Sequence, residues 1–118
     1  MKISIENETK LIEEILEAYG VVHKEASIVA DVITDGDLKG FSTHGLGRFP
    51  QYIKSIEAGT IKIEGDYEIE KESASSAMIN GNHKFGHYVT VKAMDLAVKK
   101  ASETGIGIVG IHDSNHYG

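Results

Sequence analysis

Cysteine is absent from these 118 residues, and proline and glutamine each occur once. Without cysteine there are no disulfides and no thiolate metal ligands, so the redox compartment cannot be read from cysteine pairing. Basic residues are outnumbered, 12 against 18 acidic, and the net charge of −6 argues against a nucleic-acid backbone or an anionic membrane as partner. No apolar run approaches the roughly 20 residues that span a bilayer, and the amino terminus, MKISIENETK, lacks an apolar targeting core. These absences predict a soluble, cytoplasmic protein. The length suits one domain, or a piece of a larger chain, and is enough to bury a core.

What is present divides by periodicity. Leu11, Ile12, Ile15, Leu16 and Tyr19 form a helical stripe that Ser4 or Asn7 can cap and Gly20 can end. Ala26, Val29, Ala30 and Ile33 predict a second helix from about His23 to Leu38, stopping near Gly40, with His23 an ordinary exposed residue. A third helix carries Phe49, Ile53 and Ile56 as an apolar stripe. Its start depends on Pro50, which lacks a backbone donor. A start at Ser42 or Thr43 implies a kink at Pro50, whereas a start near Leu46 accommodates it. The early, kinked start is preferred, because it keeps His44 in register with Arg48.

After Gly59 the period becomes two. Ile61 and Ile63, then Tyr67, Ile69 and Lys71 alternating with Glu68, Glu70 and Glu72, read as half-exposed strands. Ser73 to Ser76 is a turn, Ala77 to Asn80 a strand and Gly81-Asn82 a second turn. Val91, Met94, Val98 and Ala101 mark the inner face of a helix from about Tyr88 to Glu103, with Met94 in the core. The run IGIVGI, Ile106 to Ile111, reads as a strand buried on both faces. The expectation is an α+β chain: a helical subdomain over residues 1–59, then the beginning of a mixed, non-Rossmann α/β sheet domain over 60–118.

The chemistry concentrates in two places. In DGDLKGFSTHGLGRFPQY, Asp35 to Tyr52, His44, Arg48 and Tyr52 recur at i, i+4, i+8 and would present an imidazole, a guanidinium and a phenol, groups that suit a small carboxylate. The alternative is a solvated face or a capping arrangement. The second place is HDSNHYG, just beyond the carboxyl end of the IGIVGI strand, where side chains tend to converge on a crevice. His116 is its candidate. Gly105, Gly107 and Gly110 spell G-x-G-x-x-G, but after a helix and inside a strand rather than between strand and helix, so they are read as helix-ending and close-packing glycines. His83 with His87 and His112 with His116 are spaced like chelating pairs. Gly86 and the Asp-Ser-Asn loop interrupt them, so no metal site is expected. Oxidising a 2-hydroxy acid needs a cation for the carboxylate, a base for the hydroxyl proton and a hydride acceptor; arginine and histidine supply the first two.

THGLGRFPQY, AMDLAVKKASETGIGIV and DSNHYG, taken in order, resemble the amino-terminal part of the non-Rossmann malate/L-lactate dehydrogenase family, whose relatives include sulfolactate and ureidoglycolate dehydrogenases. The likeness extends over almost the whole chain. It implies NAD- or NADP-dependent interconversion of 2-hydroxy and 2-oxo acids by a homodimer. His116 would be the proton donor and acceptor, Arg48 the carboxylate ligand, and His44 with Thr43 a catalytic or orienting pair, with Tyr52 lining the pocket. Thr43 stands where relatives commonly have serine, and His87 where they commonly have glutamine. The family's chains are longer, so this one is expected to be an amino-terminal fragment with most cofactor-binding residues downstream. A non-catalytic dimerising or small-molecule binding module of the same fold is the rival expectation, and a histidine-based metal-binding domain the third.

Overall fold

The computed structural model describes residues 4–116. They form two compact units, residues 4–64 and Gly65–His116.

The first unit is helical. Helix α1, Ile5–Ala18, begins where the Ser4 hydroxyl accepts the Asn7 N–H at 3.2 Å, and Glu6 and Glu8 in its first turn complement the helix dipole. Its inward stripe is Glu8, Ile12 and Leu16, four residues apart; Leu11 and Tyr19, expected on that stripe, are exposed. Helix α2, His23–Leu38, packs against it with Ala26, Val29, Ala30 and Ile33, all fully buried. His23 is exposed, and its Nδ1 lies 2.9 Å from Glu17 Oε1.

The early helix start is not what forms. Ser42–His44 and Leu46–Arg48 are separate 3-10 turns, and helix α3 runs Phe49–Ala58 with Pro50 in its first turn. There the missing N–H breaks no bond, and no kink is needed. Between the two turns Gly45 leaves helical geometry, at φ −103° and ψ −149°. His44 and Arg48 therefore do not share a helical face. Gly59, at φ 80°, ends α3 in the left-handed conformation that glycine adopts without a Cβ penalty. Ile61 and Ile63 belong to no strand among the described residues. Ile61 is buried individually, and Ile63 Cδ1 lies 3.2 Å from where a Cβ on Gly20 would stand, so their alternation reflects side-chain seating rather than a ladder.

The second unit contains a mixed sheet of order β1-β2-β3. Strand β1, Glu68–Glu72, runs antiparallel to β2, Ser76–Asn80, with a bulge between Ile69 and Lys71; β3, Ile108–His112, runs parallel to β2. Helix α4, Gly86–Thr104, makes the crossover that parallel pairing requires. Lys100, buried near its end, donates to Ser73 O at 2.6 Å and pairs with Glu72 Oε1 at 2.9 Å, tying α4 to the β1–β2 turn.

Two expectations fail here. Met94 and Val98 are exposed, each 60%, and the buried positions of α4 are instead Gly86, His87, Tyr88, Val89, Ala93 and Lys100. The helix is apolar on several sides, and its rotation is set by close approach: a Cβ on Gly107 would fall on the Ala97 carbonyl oxygen. Strand β3 is not buried on both faces; among the described residues it is a sheet edge, with Ile108 62% exposed. The close-packing reading of the glycines does hold, since Gly105 ends α4 at φ 92° and a Cβ on Gly110 would stand 2.9 Å from Met78 Cε.

Candidate functional site

In the first unit the candidate residues occupy the segment from the end of α2 into α3. Thr43 and His44 lie in the first 3-10 turn, with Thr43 Oγ1 3.4 Å from His44 Nδ1, the outer limit of a hydrogen bond. His44 lines a cavity of about 380 Å³ together with Val32, Asp35, Gly36, Lys39 and Phe41. At its rim Lys39 Nζ and Asp35 Oδ2 pair at 2.9 Å. Arg48 closes the second 3-10 turn and is partly buried; its Nε is shielded from solvent and has no hydrogen-bond acceptor among the described residues. Tyr52 is 3% exposed, so the phenol belongs to the interior side of α3 rather than to a polar face. Burial raises its pKa above the ordinary value, and the positive charge of Arg48 acts the other way, which makes the two residues electrostatic neighbours.

The segment is held from α2. Leu46 N–H donates to Asp37 Oδ2 at 2.8 Å, and Phe41 N–H to Gly36 O at 2.8 Å. A Cβ on Gly36 would stand 2.8 Å from His44 O, and one on Gly45 would overlap the Asp37 carboxylate. Both glycines therefore permit contacts that a side chain would obstruct.

In the second unit the loop after β3 carries His116 and is clipped to the turn before α4. Gly81 N–H donates to His112 O and His83 N–H to Asp113 O, each at 2.8 Å; Asn115 Nδ2 donates to His83 O at 2.8 Å and Lys84 O at 3.2 Å. Asn82, His83 and Asp113 all have positive φ, 50° to 58°, in these two facing loops. Such backbone is uncommon outside glycine and persists where surrounding bonds over-determine it. His87 follows in α4, 1% exposed, with its pKa lowered to about 4 by burial first and by the charge on His116 second. His87 is accordingly neutral at physiological pH, and it and His116 sense each other. Tyr117 and Gly118, the last residues of DSNHYG, lie outside the described residues.

The spaced histidine pairs do other things. His83 is in the left-handed turn and His87 is enclosed, while His112 Nε2 meets Glu70 Oε1 and its Nδ1 lies 2.9 Å from Asp113 Oδ2. Those bonds, with Glu70 first, raise the His112 pKa. Among the described residues no group of three or more His, Asp or Glu is placed to hold a metal ion. Sequence reasoning passed over Glu8, Asp37 and the fully buried Lys84. For Asp37 a signal existed in the glycines around His44, which mark a close approach by some other part of the chain.

Packed helices followed by a mixed sheet with one parallel crossover define an α+β architecture, with histidine-bearing loops held to their own unit in each half. The sequence profile of the malate/L-lactate dehydrogenase family matches residues 3–118, and the chain belongs to that family. It is 58% identical over all 118 residues to L-sulfolactate dehydrogenase of Methanothermobacter thermautotrophicus and 60% identical to malate/(S)-sulfolactate dehydrogenase of Methanothermus fervidus, covering 35% of each. The solved sulfolactate dehydrogenase of Methanocaldococcus jannaschii matches the whole chain with a TM-score of 0.98 at 47% identity, over 34% of its own length. The chain spans about a third of the curated relatives it matches. No helix among the described residues is long and apolar enough to cross a membrane.

Proposed function

We propose that this chain supplies the amino-terminal part of an NAD- or NADP-dependent dehydrogenase that interconverts a small 2-hydroxy acid and its 2-oxo acid. Arg48 holds the substrate carboxylate, His116 exchanges the hydroxyl proton, His44 with Thr43 orients the substrate, and Tyr52 backs the arginine. The observation that carries this reading is the Arg48 guanidinium, whose shielded Nε has no acceptor among the described residues. A buried donor left without a partner is costly, and a bidentate carboxylate satisfies it with charge-assisted bonds. Family membership and relatives named for malate and sulfolactate support the substrate class.

The chemistry divides by residue. An arginine fixes the acid in one orientation, which a lysine's point charge does less well. A histidine can take the proton during oxidation and return it during reduction. A nicotinamide dinucleotide would supply the hydride acceptor when bound. The glycine-rich run does not fit its pyrophosphate, because Gly107 is packed on the Ala97 carbonyl and the run leads into β3 rather than opening a helix. The proposal therefore assigns the cofactor to residues beyond those described, and it extends to a homodimer.

The test is NAD(P)-linked oxidation of L-malate, L-lactate and sulfolactate by the protein at its natural length. Turnover is expected with at least one acid, and Arg48→Ala and His116→Ala should each lower kcat/KM by roughly a hundredfold or more. Undiminished activity in both variants would overturn the assignment. Sedimentation of the same protein tests the dimer.

A further inference from the structure

The segment that carries His44 and Arg48 has no regular secondary structure longer than one 3-10 turn, so something other than a helix must hold it. Asp37, in the last turn of α2, is that contact. Its Oδ2 accepts the Leu46 N–H at 2.8 Å, and its carboxylate occupies the space over Gly45 that any Cβ would fill. The Gly45–Leu46 peptide lies between the imidazole-bearing and guanidinium-bearing residues. Near Asp37 stands Glu8 of α1, 5% exposed, close enough for the two carboxyl groups to act on each other electrostatically. Glu8 is the group whose proton affinity is raised, by burial first and then by Asp37, with Thr34 acting the other way. Thr34 of α2 accepts from Thr9 Oγ1 of α1 at 3.0 Å, which ties the two helices together next to Glu8.

We propose that Asp37 is a positioning residue: it fixes the peptide between His44 and Arg48 and so aims the guanidinium at the substrate carboxylate. This rests on the carboxylate-binding role given to Arg48 above. Asp37 itself touches no substrate. Its loss should weaken substrate binding more than the chemical step, because a misaimed guanidinium loses a bidentate contact made in ground and transition states alike.

The experiment compares variants of the protein at its natural length, using whichever of L-malate, L-lactate and sulfolactate it oxidises. Asp37→Ala should raise KM about tenfold with kcat within about threefold of wild type, the effect of loosening a charge-assisted contact. Asp37→Asn retains an oxygen for Leu46 N–H and should restore KM to within about threefold. Gly45→Ala, whose Cβ displaces the carboxylate, should reproduce the Asp37→Ala phenotype and carries the test if Asp37→Ala does not fold. Hydrogen exchange at the Leu46 amide reads the same contact without turnover, and should quicken about tenfold or more in Asp37→Ala or Gly45→Ala. Unchanged KM and unchanged exchange in these variants, or an Asp37→Asn as impaired as Asp37→Ala, would overturn the proposal. Arg48→Ala separates it from its premise: an unchanged KM there removes the carboxylate-binding reading, whereas a large rise beside silent Asp37 and Gly45 variants removes only the positioning role.

Discussion

The two units each present a histidine on an irregular segment, and they restrain those segments by different means. Around His44 the restraint includes a side chain: the Asp37 carboxylate on Leu46 N–H, seated over Gly45. Around His116 it is largely main chain, Gly81 to His112 and His83 to Asp113, laid down as the loops leave β2 and β3. A side-chain clasp can be loosened by one substitution while its helices stand. A main-chain clasp shares its fate with the sheet, because its donors and acceptors are positioned by the strands themselves.

The sharpest way to break that contrast is Gly107→Ala. The added Cβ would overlap the Ala97 carbonyl oxygen, a backbone atom that moves only if β3 parts from α4. We expect a loss of about 3 kcal/mol or more, by overpacking that side-chain rotation cannot relieve. Denaturant unfolding of the 118-residue chain measures it. Asp37→Ala, by comparison, should lose less stability and more binding. A Gly107→Ala variant within about 0.5 kcal/mol of wild type would show that the strand yields without disturbing what it anchors.

Acid tests the second unit from another direction. His87 has an ordinary pKa of 6.5 and about 4 in the folded chain, so between these values the unfolded chain binds more protons. Its contribution is therefore intact above pH 6.5 and is lost as pH falls toward 4, amounting to roughly 3 kcal/mol at the acid end. His87→Gln should flatten the stability profile over that window by a comparable amount while leaving it steep below pH 4, where carboxylates titrate. Melting temperatures from pH 4 to 7 give the answer. An unaltered slope would mean that His87 takes up its proton in the fold as readily as in solvent.

Much of this architecture was legible beforehand. Helices α1 and α2 follow from apolar periodicity closed by Ser4 and Gly40, and the positions of β1, β2 and their turn from alternation and the serines, although every residue of β1 is exposed rather than alternately buried. The start of α3 was not, because Pro50 is compatible with two starts, and the choice depends on Asp37 reaching Leu46 nine residues away. Nor was the rotation of α4, where Met94 and Val98 sit on a helix with apolar residues on several sides and the Gly107–Ala97 approach decides which face turns in. His44, Arg48 and His116 stood out by their spacing and by the position just beyond a strand, and the family resemblance then gave them expected roles. Glu8 and Asp37 did not, since acidic residues on amphipathic helices read as solvent-facing until a tertiary contact buries them.

The smallest effect is the one that best separates the two clasps. Asn115 adds a side-chain component to the second, through Nδ2 to His83 O and Lys84 O. Because the Gly81 and His83 bonds persist without it, Asn115→Ala should lower stability by only about 1 to 2 kcal/mol, near the net worth of two such hydrogen bonds. Exchange of the Gly81 and His83 amides should quicken only slightly, whereas the equivalent truncation in the first unit, Asp37→Ala, frees the Leu46 amide outright. If Asn115→Ala instead costs about 3 kcal/mol and releases the Gly81 and His83 amides, the main-chain bonds depend on that side chain. The second histidine would then be held as the first is, by a single residue.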